Sequence, residues 1–224
     1  MQIVIINPNS DEAMTKDIDK AARSYAGGRF EVMTLPAAGA PKFIDTFEDQ
    51  ALSAPGMVQI VRKYEKDADA FVIACACDPN LKLMREISSK PVVGIGEASM
   101  YMATMLGNSF TILQTDTYSV PNKVRLVHQY QMAANLASVR AALKEGEGRF
   151  EQYLEAARCA IDEDRAEVII LGCAGLCDMS RKLSRVLGMP VLDGIACALA
   201  MAEGFVRMEC ATSKVRYYSG GHNG

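Results

Sequence analysis

One pattern occurs twice in this chain, and it restricts the fold more than any other feature. Ala70-Phe71-Val72-Ile73-Ala74-Cys75-Ala76 can be laid over Val168-Ile169-Ile170-Leu171-Gly172-Cys173-Ala174. Each cysteine is followed by a helical stretch and then by a Pro-Val pair, Pro91-Val92 in the first half and Pro190-Val191 in the second. Each half also opens on its own apolar run: residues 2–6, ending at Asn7, and residues 110–114, ending at Thr115, which puts Thr115 in the position of Asn7. A chain that repeats strand, cysteine, helix, strand in this order predicts two similar halves.

The other apolar runs extend the pattern. Residues 2–6, 30–34, 70–74, 91–95, 110–114, 168–172 and 190–192 read as strands. They are continuous rather than alternating, as parallel strands buried on both faces should be. Helix-period segments lie between them, for example residues 48–66, 149–164 and 179–187. Such alternation predicts βαβ units. The expected fold is therefore α/β, with two pseudosymmetric lobes, each a small, mainly parallel sheet flanked by helices, and an active site between them. Residues 1–96 are expected to form the first lobe and 97–205 the second, with residues 206–218 returning to pack on the first. Gly107 and Gly188 each follow a helical run, where a left-handed C-cap favours glycine. Residues 219–224 read as a loose tail.

Composition narrows the function. A chain of 224 residues can bury the cores of two small lobes. A net charge of -3 gives no basic footprint, so neither nucleic acid nor an anionic membrane is the expected partner. No apolar run approaches the ~18 residues of a membrane helix. Residues 3–6 run straight into Asn7-Pro8, as a strand and its turn, rather than forming a signal peptide, so a cytoplasmic protein is expected. Seven cysteines, an odd number, do not form a disulfide framework there. Cys159, Cys197 and Cys210 sit in helical apolar patterns and read as small core residues.

Cys75 and Cys173 are different. In open α/β sheets, ligands bind beyond the carboxyl ends of the strands, which is where both cysteines fall. Two lobes related by a pseudo-twofold axis would bring both thiols to one substrate from opposite sides. Inverting a carbon stereocentre needs that geometry: a base removes a proton from one face and an acid returns one to the other. Thiols suit both roles, because their ordinary pKa of ~8.5 lies close to working pH. Each cysteine precedes a helical segment, whose positive end favours a thiolate. The carbanion would be held by backbone N–H groups of the loops 76–80 and 174–177. The expected catalytic residues are Cys75 and Cys173, with a small-molecule substrate, no cofactor and no metal.

Further substrate-binding candidates are polar or small residues near the strand ends. They are Asn7, Ser10, Asp78, Asn80 and Thr115, together with Ala76, Gly172, Ala174 and Gly175, whose size admits a substrate to the backbone. Ser10 or Asn9 serves equally as a helix N-cap, and Asp78, followed by Pro79, reads more readily as the cap of the next helix.

These residues resemble the hydantoin racemase branch of the aspartate/glutamate racemase superfamily. The resemblance rests on Asn7-Pro8-Asn9-Ser10 with Met14-Thr15, on Ile73-Ala74-Cys75-Ala76-Cys77-Asp78-Pro79, and on Pro91-Val92-Val93-Gly94-Ile95 with Glu97-Ala98. The second half adds Leu171-Gly172-Cys173-Ala174-Gly175 and Pro190-Val191 with Asp193-Gly194. It implies a cofactor-independent racemase, commonly a homo-oligomer, with Cys75 and Cys173 as the acid/base pair. Relatives act on 5-substituted hydantoins or allantoin, more distant ones on aspartate or glutamate. Superfamily members that decarboxylate arylmalonates keep only the second-half cysteine. Two departures bear on substrate choice: Asn80 stands where the family often has glycine, and Cys77 adds a thiol beside the expected catalytic one. Three rival readings share these features. One is a maleate cis–trans isomerase using a cysteine nucleophile, one a thiolate metal site of Cys75, Cys77, Cys173 and Cys177, and one a non-catalytic small-molecule-binding protein.

Overall fold

The computed structural model describes residues 1–142, 148–174 and 176–220. Gly175 and the tail from residue 221 lie outside the described residues, as does the side chain of Cys177. The first half runs β1 (Gln2–Asn7), α1 (Glu12–Ala26), β2 (Glu31–Pro36), α2 (Phe47–Tyr64), β3 (Ala70–Ile73), α3 (Leu81–Ile87), β4 (Val92–Gly94) and α4 (Ile95–Leu106). The second repeats that order as β5 (Phe110–Gln114), α5 (Val120–Gln129), β6 (Leu136–Ala141), α6 (Arg149–Asp162), β7 (Val168–Leu171), α7 (Cys177–Leu187), β8 (Val191–Asp193) and α8 (Gly194–Arg207).

Two four-stranded sheets result, ordered β2-β1-β3-β4 and β6-β5-β7-β8, and every pairing is parallel. The fold is α/β with two lobes, as the repeat predicts. Alternate residues of each strand feed opposite cores. Ile3, Ile5 and Val72 pack on α1 and α8, whereas Val4, Ile6, Phe71 and Ile73 pack on α2 and α3. In the second sheet Leu113, Ile169 and Leu171 pack on α6 and α7, and Phe110, Ile112, Val168 and Ile170 on α4 and α5. The closing helices are thus exchanged. Helix α4 follows the first sheet but sends Met100 and Ala103 into the second lobe, and α8 follows the second sheet but sends Ala198, Leu199 and Ala202 into the first. The following segment reaches the first lobe too, where Lys214 Nζ donates to the carbonyl of Arg85 at 2.6 Å. Among the described residues, no helix is long and apolar enough to cross a membrane.

The register corrects one sequence expectation. Ile6 pairs with Ile73 and Leu113 with Leu171, each two residues before a cysteine. The residue equivalent to Asn7 is therefore Gln114, not Thr115. The carbonyls of both accept the same kind of bond, Asn7 from Ala37 N–H and Gln114 from Ala142 N–H, each at 2.8 Å. Strand β6 was not expected: it is an edge strand with half-buried residues throughout and has no apolar run. Gly188 is a left-handed C-cap (φ 68), but Gly107 is extended (φ -163). What Gly107 requires is space, because a Cβ there would come within 2.9 Å of Glu167 and Val168.

Candidate active site

A cavity of about 600 Å³ lies at the carboxyl ends of both sheets and is lined by Cys75 from the first and Cys173 from the second. Its size suits a small-molecule ligand. Beside the thiols it collects amides and hydroxyls, Asn9, Gln50, Gln114, Thr115, Ser119 and Asn122, and four charged side chains, Asp45, Asp116, Lys123 and Arg149.

The two thiols have different surroundings. Cys75 Sγ lies 3.2 Å from Cys77 Sγ. Cys75 is pulled below the ordinary thiol value, chiefly because the Cys77 thiol donates to it, with help from the Lys123 charge and against burial and Asp78. Cys77 moves well up, because it is the donor in that bond and because it is buried. Cys173 is pushed above the ordinary thiol value, first by burial and then by the charge of Cys75, with Arg149 and Lys123 opposing. Its thiol donates to the carbonyl of Ala174 at 3.5 Å. Of the two thiols, Cys75 is therefore the more readily ionised. The helix ends contribute less than the sequence suggests, since α3 begins only at Leu81 and α7 at Cys177.

Of the expected binding residues, Ala76, Thr115, Gly172 and Ala174 line this cavity, whereas Asn7, Ser10, Asp78 and Asn80 do not. Asn7 is buried and its amide donates to Asn9 Oδ1 at 2.7 Å and Thr15 Oγ1 at 2.9 Å, so it orders the turn that presents Asn9. Ser10 is exposed; the N-cap of α1 is Asp11, whose carboxylate accepts from Met14 N–H. Asn80 turns its amide onto Gln50 O and Ser53 Oγ, tying the Cys75 loop to α2.

Asp78 is a cap, but of α4 rather than of the next helix α3. Its carboxylate accepts from Gly96 N–H at 2.9 Å, Glu97 N–H at 2.7 Å and Tyr130 Oη at 2.7 Å. The repeat explains why. Asp193 caps α8 from its own strand end, accepting from Ala196 N–H, but its counterpart before α4 is Gly94. A Cβ at Gly94 would overlap the Asp78 carboxylate, which occupies the vacated space. Burial, then the charge of Glu97, pushes the Asp78 carboxyl from 3.8 up to about 6, against the three donors.

Two cavity residues from the second lobe have no counterpart in the sequence reading. Gln114 is almost fully buried; its Oε1 accepts from Ser119 Oγ at 3.2 Å, and its Nε2 has no hydrogen-bond acceptor among the described residues. Its amide packs over Gly172, where any Cβ would overlap it. Lys123, also buried, donates through Nζ to the carbonyl of Ala76. Buried polar groups normally find partners, and this amide N–H₂, closed off against Gly172, is an exception among the described residues. No cluster of three or more His, Cys, Asp or Glu side chains suited to a metal ion occurs among the described residues.

Comparison with known proteins identifies the family and the fold. The family model for Asp/Glu/Hydantoin racemase matches residues 3–202. A hydantoin racemase from a Pseudomonas species is 36% identical over 226 residues, covering 97% of this chain and 91% of that protein. An allantoin racemase from Klebsiella pneumoniae superposes with a TM-score of 0.93 at 34% identity, covering 100% of this chain and 95% of the other. A glutamate racemase from Bacillus anthracis, at 13% identity, shares the fold, with a TM-score of 0.68 over 94% of this chain and 83% of its own.

Proposed function

The chain belongs to the Asp/Glu/Hydantoin racemase family and is a racemase, and from that premise we propose that it inverts the stereocentre of a cyclic ureide, a 5-substituted hydantoin or allantoin, by a two-thiol acid/base mechanism. The observation that carries this reading is the shared cavity, into which two equivalent strand ends each deliver one cysteine. In one direction the Cys75 thiolate removes the proton from the carbon beside the ring carbonyl. The electron pair moves onto that carbonyl oxygen, and the Cys173 thiol then gives its proton to the opposite face. The reverse direction exchanges the roles. Each turnover leaves one proton on the pair, so no oxidant or reductant is consumed.

The lining supports the substrate class. A hydantoin ring offers two N–H donors and two carbonyl acceptors in one plane. Side-chain amides such as Asn9, Gln50 and Asn122 supply both complements. Backbone N–H groups beside Cys75 and Cys173 are the donors we assign to the carbonyl oxygen that becomes negative; such donors act where charge develops.

The test is incubation of single enantiomers of 5-substituted hydantoins, allantoin, aspartate and glutamate in D₂O, followed by polarimetry and NMR. The expected result is inversion with deuterium uptake at the stereocentre for a hydantoin or allantoin, lost in Cys75→Ser and in Cys173→Ser. Wild-type racemisation by the double Cys75→Ser, Cys173→Ser variant would refute the mechanism.

A further inference from the structure

Resting on the two-thiol reading, we propose that Lys123 is a positioning residue for the reaction, the counter-ion that the two cysteines share across the lobe boundary. Lys123 stands in the first turn of α5, in the second lobe, and its ammonium reaches the carbonyl of Ala76, the residue between Cys75 and Cys77 in the first. It is 5% exposed and lines the same cavity as Cys75 and Cys173.

The need for it follows from the chemistry. Two thiols that share one proton carry one negative charge, and in a racemase that charge must rest on either sulfur. Burial penalises it at both. A cation serving one sulfur alone would pin the charge there and block one direction. The other charges around the pair act on one side: Asp78 opposes ionisation at Cys75, while at Cys173 Arg149 favours it and Asp193 opposes it. Asp45 and Asp116 line the same cavity and add no positive charge. The Lys123 charge favours the thiolate at Cys75 and at Cys173 alike. It is also fixed by a hydrogen bond and shielded from solvent, so it is neither mobile nor strongly screened.

The experiment reads the thiols without any substrate. The intact protein is alkylated with iodoacetamide across pH 5–10, and the rate at each cysteine is followed by peptide mapping. Lys123→Gln keeps a donor for the Ala76 carbonyl and removes the charge; Lys123→Arg keeps the charge. In Lys123→Gln, alkylation at pH 7 should slow about tenfold at both Cys75 and Cys173, because an opposite charge a few ångströms away shifts a titration by roughly one unit or more. Lys123→Arg should stay within about twofold of wild type. If glutamine is not accommodated, Lys123→Met fills the site without charge and gives the same reading. Unchanged alkylation in a folded, uncharged variant overturns the proposal, as does slowing confined to one cysteine. A wild-type protein that racemises nothing in the substrate panel would overturn the functional reading, and this thiol measurement would still stand on its own.

Discussion

Tyr130→Phe tests whether the two lobes are joined electrostatically beneath the Cys75 loop. Tyr130 caps the end of α5 in the second lobe, and its hydroxyl donates to Asp78 at 2.7 Å. Asp78 is buried, with a carboxyl raised from 3.8 to about 6. Between those values the folded protein binds a proton that the unfolded chain has lost. This group therefore lowers stability as pH rises through the window, and the full penalty, about 3 kcal/mol, is present above it. The penalty is relieved as pH falls below 6 towards 4. The Tyr130 hydroxyl limits it by donating to the carboxylate. Removing a bond to a charged acceptor should cost about 2 kcal/mol at pH 8, and removing the same bond to a neutral carboxyl about 1 kcal/mol at pH 5. The Asp78 titration in the variant should then move up by ~0.7 pH unit. Urea unfolding followed by circular dichroism at the two pH values measures both losses. An equal loss at pH 5 and pH 8 would refute the linkage, and a loss below about 0.5 kcal/mol at pH 8 would refute the bond itself.

Two further outcomes follow from the thiols and their neighbours. The kcat/KM profile should be bell-shaped, with its acid limb below the ordinary thiol value, where Cys75 ionises, and its alkaline limb above it, where Cys173 does; Cys77→Ala should move the acid limb up and slow Cys75 alkylation at pH 7 by about tenfold or more, while Cys77→Ser, whose hydroxyl still donates, should largely keep both. Gln114→Leu should leave the unfolding free energy from urea titration within about 1 kcal/mol of wild type, because Nε2 has no partner to lose and Oε1 gives up only the bond from Ser119 Oγ; a loss above about 2 kcal/mol would show that the amide is paired.

Strands built of consecutive apolar residues announce themselves, which is why seven of the eight strands among the described residues, the half-buried β2 included, and the twofold repeat are legible in the sequence. Strand β6 is not, because Leu136-Ala137-Ser138-Val139-Arg140-Ala141 mixes polar and charged residues into a half-buried edge and carries no apolar run. Register was harder. A one-residue offset put Thr115 where Gln114 belongs, since both halves end in polar residues and only the pairing with β3 and β7 fixes the count. Asp78 was read as a local cap because sequence shows only neighbours along the chain, and the helix it caps begins at Ile95. The role of Lys123 is hidden from the sequence for a related reason. A lysine on an amphipathic helix reads as solvated face, and its burial here depends on a carbonyl supplied by the other lobe.

The repeat makes the backbones of the two halves equivalent, but their side chains break the symmetry where the proton is held. The position matching Cys77 is Gly175, so Cys75 has a neighbouring thiol to stabilise its anion and Cys173 has no equivalent residue in sequence. In the proposed racemisation this bias cannot make the enzyme favour one enantiomer in kcat/KM. Enantiomers have equal free energy, so the overall equilibrium constant is one and kcat/KM must be the same in both directions. What the Cys75–Cys77 bond can do is change kcat and KM together, by a factor that differs between directions. One enantiomer meets the base and acid already in place; the other requires the proton to cross from Cys173 to Cys75 first. Cys77→Ala should therefore bring the two kcat values closer while the two kcat/KM values remain equal to each other. Full progress curves from both enantiomers measure all four constants, and an unchanged kcat ratio in the variant would show that the bond does not set where the proton rests.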